Sequence, residues 1–193
     1  MVRRLPQTLQ SARLAPGRQC GDCAVCCIVT KIDDPELQKP AGAPCAHLIP
    51  RGGCAIHALR PDTCRAWFCG WRHLAQLGDE WRSDRAGVMI SFIPCIHQGY
   101  SQTAFKLTTW HRDAVLQPFV LDFVERILAK GLPVYFAYTP GEGAGFKTFL
   151  NARVGAGRGT LTTTLGQIMS EQLARWSQIG TPCGLEASGR SGM

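Results

Sequence analysis

Cysteines are the residues of this chain whose type and spacing most clearly point to chemistry. The chain has ten, and eight of them fall between positions 20 and 69. Two residues between cysteines let the chain curl so that successive sulfurs approach one metal centre while backbone N–H groups point at them. We therefore expect a metal site whose ligands are Cys20, Cys23, Cys26, Cys27, Cys45, Cys54, Cys64 and Cys69.

The first four of these cysteines form a CxxCxxCC run from Cys20 to Cys27. The adjacent Cys26 and Cys27 direct their side chains differently, so they serve different metal atoms or opposite sides of a cluster. Four cysteines in this run and four after it make two quartets. A tetrahedral zinc and a [4Fe–4S] cluster each take four thiolates, so the count leaves both open.

The motifs around these cysteines resemble a known family. The second half contains Cys45, Cys54 and the block Arg60-Pro61-x-x-Cys64-Arg65-x-x-x-Cys69-x-Trp71. Together with CxxCxxCC, this pattern resembles the YkgJ-like cysteine-cluster proteins, described as a zinc- or iron-chelating domain, over roughly Cys20 to Trp71. The resemblance implies that all eight cysteines are ligands, and in some relatives an iron–sulfur cluster linked to redox or methyl-transfer chemistry. An Fe–S-dependent oxidoreductase is one activity it allows, but it fixes no reaction.

Basic and imidazole side chains near the cysteines are candidates for outer contacts with the centre. Arg60 and Arg65 lie on either side of Cys64. We predict that they are cofactor-binding residues that do not ligate the metal themselves but donate hydrogen bonds to the ligating thiolates. His47 and His57 follow cysteines closely, but eight sulfurs already fill two sites, so we expect them to form hydrogen bonds and not to ligate.

The net charge of +7 would suit a nucleic-acid partner. Eight thiolates holding two divalent ions would contribute about −4, which reduces the excess to roughly +3. Arginines near the cysteines then balance an anionic site, and we do not expect nucleic acid as the main partner.

The cysteine usage also bears on the compartment. The start of the chain lacks the continuous apolar stretch of a secretory signal, and no apolar run approaches the roughly 20 residues of a membrane span. We therefore expect a cytoplasmic protein without a membrane partner. Disulfides are rare in that reducing compartment, so metal ligation explains the cysteines better than a disulfide framework does.

The elements that must position these residues divide the chain into four predicted segments. Residues 1–19 form an irregular basic arm, 20–84 a cysteine-cluster module of short turns and one-turn helices, 85–180 an α+β unit, and 181–193 a flexible tail. The fold class we predict is α+β, with a cysteine-rich, metal-stabilised N-terminal module packed on a small sheet and two amphipathic helices.

The spacing of apolar residues predicts the strands and helices of the α+β unit. Alternation and β-branched content predict strands at 88–93, 104–109 and 134–139, and a fourth element near 146–153. Apolar residues at three- and four-residue spacing predict one helix with Pro118 in its first turn and Gly131 as its stop. A second helix is predicted between a cap at Thr163 or Thr164 and a stop at Gly180, with its apolar stripe formed by Leu165, Ile168, Met169, Leu173, Trp176 and Ile179. Cys95 is expected to be a buried core thiol.

From these observations we expect a metal-chelating protein that binds zinc or an iron–sulfur cluster, of the [4Fe–4S] type if iron is present, through eight thiolates, and that is redox-active if iron is bound. The alternative is a structural-zinc protein whose remaining surface binds a partner protein or nucleic acid.

Overall fold

The computed structural model describes residues 14–154 and 158–179. The predicted α+β class is confirmed, because a small four-stranded sheet is combined with several helices. The predictions for Gly180, for the tail from residue 181 and for most of the basic arm lie outside the described residues.

Short elements make up the cysteine-rich segment, as its low periodicity and many turn residues predict. Helix α1 covers Val25–Val29, and strands β1 (Ile32–Asp34) and β2 (Leu37–Lys39) form a hairpin. Three further short helices follow, α2 (Asp62–Ala66), α3 (Gly70–His73) and α4 (Ser83–Ala86). Single 3₁₀ turns lie at His57–Leu59 and Asp79–Trp81.

The larger sheet contains β3 (Val88–His97), β4 (Tyr100–Thr109), β5 (Val134–Gly141) and β6 (Ala144–Phe149), in that spatial order. The β3–β4 and β5–β6 pairs are antiparallel, whereas β4 and β5 are parallel. The first two strands are longer than predicted. Gln98 (φ 53°) and Gly99 (φ 80°) both have positive φ, which is the requirement of a tight hairpin turn, so pairing continues to His97 and Tyr100.

Two longer helices complete the fold. Helix α5 spans Pro118–Ala129 after a 3₁₀ turn at Ala114–Leu116, and Pro118 occupies its first turn as predicted. Helix α6 spans Arg158–Ile179, so it begins before the predicted cap at Thr163 or Thr164, and that expectation was wrong. Leu161, within the extra turn, is buried in the core. No described helix is long and apolar enough to cross a membrane.

The main core lies between the sheet and helices α5 and α6. Val88, Ile90 and Phe136 of the sheet share it with Val124 of α5 and Leu165 of α6. Successive residues of a strand face opposite sides of the sheet, so Met89 points away from this core. It packs instead against Val25 and Val29 of α1.

The cysteine-rich segment therefore wraps around β3, the edge strand of the sheet. Helix α1 contacts β3 through Met89 on one face, while Trp71 of α3 belongs to the main core on the other. Gly70 allows this close packing, since a Cβ at that position would lie 2.6 Å from Cβ of Ile90.

Residues 15–18, which we call the Arg18 strap, join the start of the cysteine-rich segment to its end. The Arg18 guanidinium donates to the carbonyls of Trp71, Leu74, Ala75 and Leu77 and lies 5.0 Å from the Trp71 ring centroid. The amide of Ala15 donates to the carbonyl of Arg72 at 2.7 Å. The chain just before Cys20 is thus fixed to the chain just after Cys69.

Candidate metal centre

The eight predicted cysteine ligands line the same cavity, which has a volume of about 180 Å³. Met89 of β3 and Val25 of α1 also line it, so the cavity lies between the cysteine-rich segment and the outer face of the sheet. None of the cysteines in the described residues forms a disulfide. The sequence thus identified a set of thiols that the fold brings to one place.

The CxxCxxCC run enters this cavity through a turn and then a helix. The amide of Cys23 donates to the carbonyl of Cys20 at 3.0 Å, which closes the turn. Cys26 and Cys27 follow on α1, where consecutive side chains diverge. Cys23, Cys26 and the distant Cys69 pack against the apolar cluster formed by α1 and Met89.

The remaining three cysteines, Cys45, Cys54 and Cys64, lie in the stretch between β2 and α3. The amide of Cys45 donates to the carbonyl of Cys27 at 2.8 Å. Cys54 forms an isolated antiparallel bridge with Leu48, and Cys64 lies on α2. Backbone hydrogen bonds therefore place these residues, which no local pattern in the sequence would have positioned.

Two constraints hold the Cys20–Cys23 turn from outside the cavity. A Cβ at Gly52, whose φ is +87°, would lie 2.1 Å from the carbonyl oxygen of Asp22, so only glycine fits there. The Asp22 carboxylate pairs with Arg82, and that guanidinium, by hydrogen bonding to the carboxylate, lowers its pKa. The turn is consequently held between the Gly52 loop and the start of α4.

Lys39 is a buried cation beside the cavity that the sequence analysis did not single out. Its side chain is 7% exposed, and its ammonium donates to the carbonyls of Ile28, Thr30 and Pro40. Burial lowers its pKa, while the nearby Cys45, Cys27 and Cys26 thiols act in the opposite direction. Among the described carboxylates none forms an ion pair with it. Strand β2 has only three residues, so its alternation of apolar and polar side chains is too short to predict that Lys39 is buried.

Two arginines supply further positive charge. The Arg60 and Arg72 guanidinium groups lie 5.9 and 5.3 Å from the Phe68 ring centroid, and Phe68 lines the cavity. The Nε atom of Arg60 and the Nε and Nη1 atoms of Arg72 are buried without a hydrogen-bond partner in the described part of the chain. Both arginines lie close enough to Cys20 to act against the effect of burial, which raises the pKa of that thiol. Arg60 thus lines the same cavity as the cysteines, and its role as an outer contact of a metal stays a prediction.

Arg65, the other predicted outer contact, lies elsewhere in the structure. Its exposed guanidinium pairs with Asp62 on α2, and it does not line the cavity. His57 is also outside the lining and contacts Arg60 at 2.9 Å through Nε2, whereas His47 lines the cavity. Cys95 lies half-buried on β3, so the expectation of a buried core thiol was wrong.

Burial and thiol–thiol contacts control the acidity of the cysteines. Burial raises the pKa of Cys23 to about 11 and also raises that of Cys64. The Cys26 thiol donates a hydrogen bond to Cys27, which raises the pKa of Cys26 and lowers that of Cys27. A bound cation would favour the deprotonated form of each thiol.

Thiols are the donor type that zinc and iron–sulfur clusters take, so the chemistry of the lining fits a thiolate-bound metal. Across residues 14–154 and 158–179, no three His, Cys, Asp or Glu side chains lie close enough together to hold a metal ion as they stand. Each cysteine has one side-chain torsion with staggered positions, so ligation requires rotation of these thiols toward the cavity centre. Comparisons of the chain with protein-family models, curated proteins and solved structures found no match in any of the three.

Proposed function

We propose that this protein chelates metal through the eight cysteines of the cavity, binding zinc or an iron–sulfur cluster, and that it is redox-active if iron is bound. The observation that carries the proposal is that all eight thiols, although spread along the chain from Cys20 to Cys69, line the same cavity. Soft thiolates favour zinc, copper(I) and iron–sulfur clusters over harder cations. A reducing compartment such as the cytoplasm, which we propose as the location, would keep these thiols available.

The size of the cavity is compatible with a group larger than one ion. Roughly 10–15 Å³ of probe-occupied space is enough for a water molecule, and this cavity has about 180 Å³. A bound zinc would hold the cysteine-rich segment together, and a bound iron–sulfur cluster would in addition carry electrons.

The charges around the cavity support the same proposal. Eight thiolates with two divalent ions would leave about −4 charges inside the site. Lys39, Arg60 and Arg72 lie near these thiols, and the two arginines have buried N–H groups that donate to no acceptor in the described chain. A buried cation without a counter-charge, such as Lys39, is unfavourable, so these residues favour an anionic occupant.

Metal analysis of protein purified without oxygen tests the proposal. We expect either brown protein with broad visible absorption, iron and sulfide, or colourless protein with about two equivalents of zinc. The colourless form would rule out the redox role while leaving chelation in place. Full-length protein that binds neither iron nor zinc, even after reconstitution under reducing conditions, would contradict the proposal.

A further inference from the structure

The cysteine-rich segment covers the outer face of the sheet at one end and leaves the other end open. Met89 lies under α1, and Thr108, opposite Met89 in the register of β3 and β4, is 3% exposed. The amide of Gly143, in the β5–β6 turn, donates to the carbonyl of Ala41 at 2.9 Å. Toward the end of the β3–β4 hairpin the exposure increases, and Tyr100 is 73% exposed. The described chain therefore leaves the hairpin end of this face uncovered.

Aromatic rings form a strip on the uncovered part. Phe136 points into the core, so by alternation its neighbour Tyr135 on β5 points to the outer face. Tyr135 lies opposite Phe149 on β6, and their ring centroids are 5.0 Å apart. The ring of His97, at the end of β3, lies 5.3 Å from that of Phe149. These three side chains are half-buried, so part of their ring surface faces solvent.

The strip crosses a concave surface. Strands β3 and β6 are the opposite edges of the sheet, and in a flat sheet three strand spacings would separate them by roughly 14 Å. The contact between His97 and Phe149 shows that the hairpin end bends over the outer face toward β6. Strand β5 pairs with β4 only from Phe105 onward, so no third strand holds the hairpin flat beyond that residue. The rings therefore border a groove between the hairpin end and β6.

Two lysines share the face with these rings. Lys106 lies opposite Tyr135 in the register of β4 and β5, and Nζ of Lys147 lies 5.0 Å from the Tyr135 ring centroid. Burial lowers the pKa of Lys106, and the charge of Lys147 adds to this effect, so the two cations are near enough to interact. Among the described carboxylates none pairs with either lysine. None of the four strands contains an Asp or Glu, so the groove is positive.

We propose that this groove binds single-stranded nucleic acid, with Lys106 and Lys147 neutralising backbone phosphates and the rings of Tyr100, Tyr135 and Phe149 stacking on bases. Lysines alone would suit any polyanion. A duplex keeps its bases stacked inside, however, and an acidic polypeptide brings no series of planar rings to the strip. The net charge of the chain did not favour this partner, whereas the local arrangement of charge and rings does. The proposal goes beyond chelation and uses none of the eight cysteines.

Fluorescence anisotropy of the full-length protein with labelled oligo(dT) and oligo(rU) of about 12 nucleotides tests the proposal. Affinity is measured over a series of salt concentrations. Unlabelled duplex DNA of the same length and polyglutamate serve as competitors. We expect both labelled strands to bind, and unlabelled single strand to displace them at lower concentration than either competitor does.

Lys147→Gln should lower the affinity and reduce the slope of log affinity against log salt by about 0.7, the contribution of one phosphate contact on a single strand. Lys130→Gln is the matched control, because it makes the same charge change at an exposed position after α5. Its slope should equal that of the unaltered protein. Equal changes of slope in the two variants would reveal general attraction to a basic protein and overturn the proposal.

Tyr135→Leu should weaken binding about tenfold or more, as loss of one stacked base does. Tyr135→Phe keeps the ring and should bind as the unaltered protein does. Full affinity in the Leu variant would exclude stacking at Tyr135, and displacement by duplex or polyglutamate as readily as by single strand would assign the groove to another partner. Either result, or no binding by the unaltered protein at low salt, contradicts the proposal. Metal content, measured on the same samples, tests chelation separately.

Discussion

Arg72 has two properties that bear on the proposed metal centre. Two of its guanidinium nitrogens are buried without a hydrogen-bond partner in the described chain, and its positive charge acts on Cys20. Its aromatic contact with Phe68 positions the guanidinium but does not satisfy those N–H groups. A cysteine thiolate bound to metal would accept hydrogen bonds from those N–H groups.

Replacing Arg72 with Met should therefore weaken metal binding while preserving most of the packing against Phe68. Loss of an outer contact of this kind typically lowers metal affinity by about 10–100-fold. Arg72→Lys retains the charge and should lose less affinity than Arg72→Met. Chelator competition with cobalt or zinc measures the difference, and Arg112→Met, at an exposed position, is the control. Equal losses in the Lys and Met variants would indicate a packing role and not one of charge.

At the residue scale, the sequence was sufficient to predict which thiols share a cavity but not what surrounds them. The eight cysteines and Arg60 were predicted from spacing and from the resemblance, and all nine line the cavity. Lys39 was missed because the backbone carbonyls of Ile28 and Thr30 hold its ammonium group in place. Every residue has a backbone carbonyl, so such contacts leave no pattern in the sequence. Arg65 was chosen because it adjoins Cys64, yet neighbouring residues on a short helix point in different directions. Its role as an outer contact stays a prediction.

The loop containing Gly52 shows how elements without regular structure can still be tightly constrained. Gly52 contacts the Asp22 carbonyl with no room for a side chain, and the Asp22 carboxylate pairs with Arg82. The turn that carries Cys20 and Cys23 is thereby held against the loop that leads to Cys54.

A methyl group at Gly52 should push these two loops apart. We expect Gly52→Ala to cost about 1–3 kcal/mol in the free energy of unfolding, as overpacking usually does, and to reduce metal retention as well. Gly99→Ala is the matched control, since Gly99 also has a positive φ of 80° but has nothing within 4 Å of the added Cβ. Chemical denaturation and metal content of both variants test this expectation. If both lose the same stability, the close contact with Asp22 has no energetic effect.

At the element scale, periodicity predicted which elements exist better than where they begin. Pro118 lies in the first turn of α5 as predicted, because a proline lacks an N–H that a first turn does not need. The regular helix starts later than the predicted 113–117, because a 3₁₀ turn occupies Ala114–Leu116. Helix α6 starts earlier than its threonines suggested, since burial of Leu161 outweighs the weak helix propensity of β-branched residues. The β3–β4 hairpin was underestimated because Gln98-Gly99 is a less obvious turn signal than Asn-Gly.

At the scale of the whole molecule, two apolar clusters of very different size hold the described residues together. The sheet and helices α5 and α6 share a continuous apolar core that includes Phe136, Leu107 and Leu165. The cysteine-rich segment has a much smaller cluster, built on Val25, Val29 and Met89. Small segments with little core usually need metal or disulfides for stability.

Chelation should accordingly affect the two parts unequally. When metal is removed under reducing conditions, we expect amide hydrogen exchange to accelerate in residues 20–69 and to change little in β4 and β5. Hydrogen exchange of the full-length protein, measured with and without chelator, tests this. Cys95→Ser protein treated in the same way should behave as the unaltered chain. Uniform acceleration throughout the chain would mean that metal stabilises the fold as a single unit.

The wrapping of the cysteine-rich segment around β3 could not be read from the sequence. Composition changes near residue 85 and suggested separate units, and that division stays a prediction. Trp71 and Trp81 nevertheless share the main core with residues of the sheet and of α5. This packing depends on contacts between residues far apart in the chain, such as that of Trp81 with Phe123. The spacing of apolar residues along the sequence does not show which distant side chains will be in contact.

The Arg18 strap gives the cysteine-rich segment the topology of a closed ring. Its ends, near Ala15 and Leu77, are held together by hydrogen bonds that involve no cysteine. Bringing distant parts of a chain together costs entropy that grows with the logarithm of loop length. Because the hydrogen bonds of the strap already hold the ends of the ring together, Cys20 and Cys69 lie near each other without metal. Under the proposed function, metal capture would be a rearrangement of thiols within an enclosure whose ends are already joined.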